Sequence, residues 1–114
     1  MNLNQYVIAV AKTCVYPGAG THSVEAVGYV SLGLAGEVGE ICNQVKKISR
    51  DDEGVMTSER HLKIFDEVGD VFWYLFRLCA EVGILPEQAM RANAAKLEGR
   101  QQLGTLNGDR REED

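Results

Sequence analysis

The chain has 114 residues, of which 45% are hydrophobic and 25% charged, and its formal net charge is −5. This length fits a single domain, because a second hydrophobic core would have too few residues to form. The acidic balance argues against a nucleic-acid polymer as partner, since a phosphate backbone binds surfaces rich in Lys and Arg. Residues 1–13 lack the basic region and long apolar core that a signal peptide would need, so none is expected, and no run approaches the 18 or so apolar residues of a membrane span. We therefore predict a cytoplasmic protein with no membrane partner.

Two helices are predicted in the first half of the chain. Apolar residues at helical spacing begin at Leu3, and the Pro- and Gly-containing segment 16–20 ends this short first helix. Thr21 or Ser23 can cap a second helix over residues 24–49. Its apolar residues recur at alternating spacings of four and three, which is typical of a helix packed in a bundle. They are Leu34, Val38, Ile41, Val45 and Ile48.

A third helix follows a charged turn at residues 50–54, which we interpret as a solvated loop without a chemical role. Thr57 or Ser58 can cap this helix, and Gly83 can end it. Its apolar stripe comprises Leu62, Phe65, Val68, Phe72, Leu75, Cys79 and Val82. Residues 71–76 are nevertheless apolar or aromatic all round, so more than one surface must cover them. A second copy of the chain is the simplest cover, which predicts a homodimer or a dimer of dimers.

A fourth helix and a polar tail complete the predicted organisation. Pro86 fits the first turn of this helix, which should reach about Glu98. The sequence beyond it has too few apolar residues to become ordered without a partner or ligand. The predicted fold is therefore all-α, a four-helix, bundle-like protomer with two long central helices. It has one helical domain over residues 1–98 and a tail over residues 99–114.

The same acidic pattern occurs once in each long helix. Glu37 and Glu40 are three residues apart in the second helix, and Glu67 and Asp70 are three residues apart in the third. Acids at this spacing differ by about 60° around a helix and about 4.5 Å along it, so both carboxylates of a pair can face one point. Two such pairs on neighbouring helices can enclose a cation.

A solvated helix surface is the more usual place for a single pair of this kind, but three features argue against it here. Each pair lies among apolar residues, and no acid in it has a Lys or Arg four positions further on. Gly39 and Gly69 lie inside the pairs, where Gly costs about 1 kcal/mol relative to Ala, so close helix approach or room for a hydrated metal is expected. Glu81 begins a similar Glu-Val-Gly segment without a second acid, and we exclude it from the site.

The residue types indicate which metal such a site would bind. Four carboxylates form an oxygen-only ligand set that suits Mg²⁺ or Mn²⁺. A di-iron bundle would need Glu-x-x-His pairs, which are absent, and His22 and His61 fall in or beside loops. Cys14, Cys42 and Cys79 are widely spaced and form no CxxC pair, which disfavours a disulfide framework and a zinc site. We predict that they are reduced core residues.

These segments together resemble the MazG-like nucleoside triphosphate pyrophosphohydrolases, which carry an ExxE pair, a spacer and an ExxD pair on adjacent helices. Here Glu37 and Glu40 form the first pair, residues 41–66 the spacer, and Glu67 and Asp70 the second pair. The similarity covers roughly residues 5–110. It includes segments 33–40, 46–47, 67–75 and 93–97, and Arg100.

The resemblance implies an Mg²⁺-dependent enzyme, usually a dimer or tetramer, that cleaves a nucleoside triphosphate between the α and β phosphates. The four acids would be its metal ligands and catalytic residues, with Glu40 or Glu37 positioning the attacking water. Gly36 stands where many relatives have a further acid, so a fifth acidic contact is absent. Residues 104–110 look like a shortened form of a Gly-rich ending found in phage-type and bacterial relatives.

Other residues are candidates for substrate contacts. Those that could bind phosphate or sugar are Lys46, Lys47, Asn93, Lys96 and Arg100. The last three share one face of the fourth helix, although a solvated helix surface would also account for each of them. Trp73 and Tyr74 can flank a nucleobase, or they can belong to the core or to a dimer interface.

Two alternatives are left open by the sequence. The first is a non-enzymatic helical module, dimeric and either binding or structural, whose acids hold a metal only for stability. The second keeps the chemistry but changes the substrate, to phosphoribosyl-ATP or to one deoxynucleotide such as dUTP or dCTP. Both housecleaning of abnormal nucleotides and control of pool sizes would fit such an enzyme.

Overall fold

A computed structural model describes residues 1–104, which form four helices and, within that range, no β-strand. They are α1 (Leu3–Ala11), α2 (Val24–Asp51), α3 (Ser58–Val82) and α4 (Pro86–Gln102). The all-α fold with two long helices is confirmed. Residues 105–114, which include most of the Gly-rich ending and of the predicted tail, lie outside the described part of the chain. No helix among the described residues is long and apolar enough to cross a membrane.

Local sequence signals set the helix ends. Of the two candidates at each start, Ser23 caps α2 and Thr57 caps α3, each accepting a hydrogen bond of 3.1 Å from a backbone amide of the first turn. Gly83 ends α3 in the left-handed conformation, with φ of 77°. The fourth helix ends at Gln102, four residues past the predicted end at Glu98. It continues through Gly99, and the Gly in the left-handed conformation that follows the helix is Gly104.

The chain divides into two compact units, Met1–Gly83 and Ile84–Asp114. The first unit contains α1, α2 and α3, and α2 packs along α3. The second contains α4, which we describe by itself. The division into a domain over residues 1–98 and a tail over residues 99–114 stays a prediction.

The core of the first unit lies where the start of α2 meets the end of α3, beneath α1 and the loop over residues 12–23. Its buried apolar residues are Val10, Tyr16, Ala26, Val30, Phe76 and Cys79. Tyr6 of α1 packs edge to face on Phe76, with ring centroids 4.9 Å apart, and Trp73 packs against the core. α1, this loop and α2 together therefore cover part of segment 71–76 within the single chain, although Phe72 stays 47% exposed.

The side of α3 that packs on α2 differs from the predicted apolar stripe. The buried and half-buried residues at alternating spacings of four and three are Arg60, Ile64, Glu67, Val71, Tyr74, Leu78 and Glu81. Leu62 and Phe65 of the predicted stripe are 61% and 68% exposed in the single chain. The prediction failed because Arg60, Glu67 and Glu81 occupy three of these positions, where pairing and hydrogen bonds offset the cost of burial. On α2, Val38 and Val45 of the predicted stripe are likewise exposed.

Two further expectations need correction. The charged turn is not only a solvated loop, because Asp52 forms an ion pair of 2.8 Å with Arg60, and both side chains are largely buried. Arg60 also donates a hydrogen bond of 2.7 Å to Gln44, which ties the turn to both long helices. Cys79 is buried and Cys14 half-buried, but Cys42 is exposed on α2, so the prediction that all three cysteines lie in the core is wrong for Cys42.

Candidate functional site

Three of the four predicted acids meet between α2 and α3. Glu37 of α2 and Glu67 and Asp70 of α3 each offer a carboxylate oxygen, and these oxygens lie within 4.8 Å of one another. The three-residue spacing places Glu67 and Asp70 on one side of α3, and the register of the two helices brings Glu37 opposite them. Oxygens at this spacing in the three-carboxylate group could together hold a metal ion, and carboxylates are the hard donors that Mg²⁺ and Mn²⁺ prefer.

Glu40, the fourth predicted acid, lies one helical turn beyond Glu37 on α2 and is exposed. Its oxygens are not part of the group that meets within 4.8 Å. Its negative charge nevertheless contributes to raising the pKa of Glu37, so it lies at the edge of the same site.

The electrostatics of Glu37 show that the acids are crowded. The hydrogen bond that its protonated carboxyl donates to Glu67 raises the pKa of Glu37 to about 7, and burial together with the charges of Asp70, Glu67 and Glu40 acts in the same direction. With a pKa of about 7, the Glu37 carboxyl is about half protonated near neutral pH. A divalent ion would relieve the same repulsion, so this donor set fits a metal.

Glu37 gives the metal-free protein a predicted pH dependence. Since its pKa is raised in the folded state, protonation of Glu37 stabilises the fold fully below pH 4.5, and this contribution is lost as the pH rises through about 7. Glu37→Gln should therefore gain stability relative to the parent between pH 5 and pH 8, by about 1–2 kcal/mol after allowance for solvent screening. Urea unfolding in EDTA at both pH values measures this difference, and a pH-independent difference would contradict the crowding of these acids.

The glycines of the acidic pairs do not mark a close approach within the described chain. A Cβ built on Gly39 or Gly69 would meet nothing within 4 Å, so neither residue is needed for contact between α2 and α3. Gly33 is different, because a Cβ there would lie 2.1 Å from Cε1 of Tyr74. The position that requires Gly is therefore one helical turn before Glu37, where the Tyr74 ring lies against the backbone of α2.

An open cleft of about 330 Å³ adjoins the three-carboxylate group. Glu37 and Asp70 line its acidic end, and Trp73 and Tyr74 line the remainder. The two rings meet edge to face, with centroids 5.0 Å apart. The structure thus brings both aromatic residues predicted for nucleobase contact to the same cleft as two of the predicted metal ligands.

The other predicted contact residues lie elsewhere on the helices. Lys46 and Lys47 are six and seven residues beyond Glu40, about 9–10 Å along α2, and are not among the described residues lining the cleft. The remaining candidates, Asn93, Lys96 and Arg100, lie on α4 in the second compact unit.

Sequence reasoning missed several residues that support the aromatic side of the cleft. Tyr16 stacks on Tyr29 at 5.5 Å and meets Trp73 edge to face at 6.2 Å. Glu81, which we had excluded from the metal site, indeed lies outside the three-carboxylate group, but it is fully buried in an ion pair with Arg77. The four-residue spacing of Arg77 and Glu81 within an apolar helix was the available signal for this pair.

Fold and site together define a class of protein, a small all-α protein in which carboxylates of two paired helices meet beside an aromatic cleft. The sequence model of the MazG nucleotide pyrophosphohydrolase domain matches residues 29–104. The chain therefore belongs to the MazG nucleotide pyrophosphohydrolase family. It is 41% identical over 109 residues to the Gene 37 protein of Mycobacterium phage L5, covering 95% of this chain and 96% of that relative. No solved structure matches the chain.

Proposed function

We propose that the protein is a Mg²⁺-dependent nucleoside triphosphate pyrophosphohydrolase, for which Mn²⁺ can replace Mg²⁺. It would cleave a nucleoside or deoxynucleoside triphosphate between the α and β phosphates and release a monophosphate and pyrophosphate. The observation that carries the proposal is the meeting of Glu37, Glu67 and Asp70 beside an aromatic cleft, in a chain of this family. Housecleaning of the cytoplasmic nucleotide pool is the role that we propose for this activity.

The acids have distinct roles in this proposal. Glu37, Glu67 and Asp70 bind the metal, with Glu40 completing the set from the edge of the site. Bound Mg²⁺ would neutralise phosphate charge, activate the attacking water and stabilise the departing pyrophosphate. Because Glu40 lies outside the three-carboxylate group, its position favours it over Glu37 as the residue that orients the water for in-line attack on the α-phosphorus.

The remaining residues would bind the rest of the substrate. Trp73 and Tyr74 offer flat apolar surfaces on which a nucleobase can stack, next to the acids that would hold the triphosphate end. Contacts to phosphate or sugar are proposed for the basic and amide residues predicted from the sequence. These are Lys46, Lys47, Asn93, Lys96 and Arg100.

A panel of substrates tests this function. The purified protein is incubated with Mg²⁺ and canonical or modified nucleoside triphosphates, including dUTP, dCTP and phosphoribosyl-ATP, and pyrophosphate and orthophosphate are measured separately. We expect pyrophosphate as the primary product of at least one substrate. Orthophosphate alone would indicate cleavage at the γ phosphate and overturn the mechanism. A rise in melting temperature with Mg²⁺ but no turnover would instead indicate a metal-stabilised, non-enzymatic module.

We also propose that the protein forms a homodimer or homotetramer through its long helices. Leu62 and Phe65 on α3, with Val38 and Val45 on α2, are large apolar side chains that the single chain leaves exposed. A second copy would bury them. Phe65→Glu should therefore shift sedimentation from dimer to monomer at micromolar concentration, since introducing a charge at a buried interface is costly. A parent protein that sediments as a stably folded monomer would contradict this proposal.

A further inference from the structure

The loop over residues 12–23 has a backbone that needs an anchor. Gly18 and Gly20 are in the left-handed region, and so is His22, a non-glycine residue with φ of 60°. A non-glycine residue in this region is uncommon, because its Cβ crowds the backbone. Such a loop keeps one conformation only if the surrounding structure holds it there.

Glu81 of α3 supplies this anchor. Its carboxylate, 2% exposed, accepts hydrogen bonds from the Tyr16 hydroxyl, from the Gly20 amide at 2.9 Å and from the His22 amide at 3.0 Å. Arg77, one turn earlier on α3, pairs with it at 3.4 Å. Burial opposes ionisation of Glu81, but these hydrogen bonds and the Arg77 charge outweigh it and lower its pKa. One buried carboxylate thus ties three residues of the loop to α3.

The same loop contacts Trp73. The Thr13 hydroxyl accepts a hydrogen bond of 2.7 Å from the indole Nε1 of Trp73, and the Tyr16 ring meets the indole edge to face. Glu81 itself lies two turns further along α3 and outside the residues that line the cleft. Glu81 therefore affects the cleft indirectly, through its hydrogen bonds to the loop and the contacts of the loop with the indole.

We infer that Glu81 is a positioning residue for nucleobase recognition: it fixes the 12–23 loop on α3, and the loop holds the Trp73 indole through Thr13 as a rigid stacking surface. The inference rests on the proposed function for the identity of the ligand, a nucleoside triphosphate. A ring already held in place loses little freedom when a base stacks on it, so binding is tighter than to a mobile ring. Loss of the anchor should weaken binding and leave the reacting groups unchanged.

Trp73 is the only tryptophan of the chain, so its fluorescence reports directly on the indole. We would measure its anisotropy, and its quenching by α,β-methylene nucleoside triphosphates carrying each of the four DNA bases, for the parent, Thr13→Val and Glu81→Gln. Thr13→Val keeps the side-chain shape and removes the hydrogen-bond acceptor, which is expected to lower the anisotropy. It should also raise the analogue Kd and the substrate KM about 3- to 10-fold, with kcat within two-fold of the parent. Glu81→Gln should likewise lower the anisotropy, and it should raise the analogue Kd and the substrate KM by about 10-fold or more.

Thr57→Ala serves as the matched control. It removes the N-cap of α3 at the other end of that helix and lowers stability, but it should leave the anisotropy and Kd within two-fold of the parent. If Thr57→Ala and Thr13→Val changed the anisotropy and Kd equally, both changes would reflect lower stability alone, and this result would overturn the proposed role. So would unchanged anisotropy in Thr13→Val, or lower anisotropy with unchanged analogue binding. If Glu81→Gln does not fold, Tyr16→Phe, which removes one hydrogen bond to the Glu81 carboxylate, tests the anchor by the same two measurements, and unchanged anisotropy and Kd would overturn the role of Glu81. The anisotropy result is independent of turnover, so failure of the proposed function would be recognised separately by the absence of pyrophosphate.

Discussion

Glu67→Gln is expected to reduce pyrophosphate release by roughly 10²–10³-fold at saturating Mg²⁺, while the metal-free protein becomes no less stable than the parent. Activity falls because the amide cannot replace a charged ligand oxygen. Stability is retained because Glu67 lies against Glu37 and close to Asp70, so removing its charge lessens the repulsion in the empty site. Turnover at saturating Mg²⁺, and thermal unfolding with and without the metal, measure both effects.

Asp66→Asn is the matched control for this variant. Asp66 is the adjacent residue on α3, is exposed, and is not part of the three-carboxylate group. Its turnover should stay within a few-fold of the parent and its stability within about 0.5 kcal/mol. Near-parental turnover of Glu67→Gln, with unchanged stabilisation by Mg²⁺, would remove Glu67 from the site and would also undermine the argument from the repeated acidic pattern.

Gly33→Ala is expected to have the largest effect on the aromatic side of the cleft. The added Cβ would lie 2.1 Å from Cε1 and 2.5 Å from Cζ of Tyr74, so the ring must leave its place against α2. Overpacking of this kind costs about 1–3 kcal/mol, which the better helix propensity of Ala offsets by only about 1 kcal/mol. Because Tyr74 lines the cleft, KM should rise together with the loss of stability. Urea unfolding and steady-state kinetics measure the two quantities.

Gly36→Ala provides the comparison on the same helix. A Cβ at this position meets nothing within 4 Å, so the substitution should stabilise the protein by up to about 1 kcal/mol and leave KM unchanged. The two variants therefore have opposite predicted signs in stability, although both replace a Gly inside α2 by Ala. If Gly33→Ala were as stable as Gly36→Ala, the contact between Tyr74 and the backbone at Gly33 would be refuted.

Much of the fold could be predicted because its signals are local in sequence. Ser23, Thr57 and Gly83 act within one turn of the helix ends that they set, so their residue types identify those ends. The pairing of Glu67 with Asp70 is local for the same reason, since a three-residue spacing fixes two side chains on one side of a helix. The repeated acidic pattern therefore indicates a candidate metal site from local spacing alone.

Only the tertiary structure decided which sides of the helices meet, because hydropathy does not show which polar residues find partners. Arg60 and Glu81 are buried through their ion pairs, whereas the apolar Phe65 stays exposed. Because of the register of α2 against α3, Glu37 belongs to the three-carboxylate group and Glu40 does not. The same register places Gly33 against the Tyr74 ring. The contact of Thr13 with Trp73 spans 60 residues of sequence, and no local pattern encodes a contact of that range. The sequence by itself determined the helices and the acids; their packing decided the shape of the cleft.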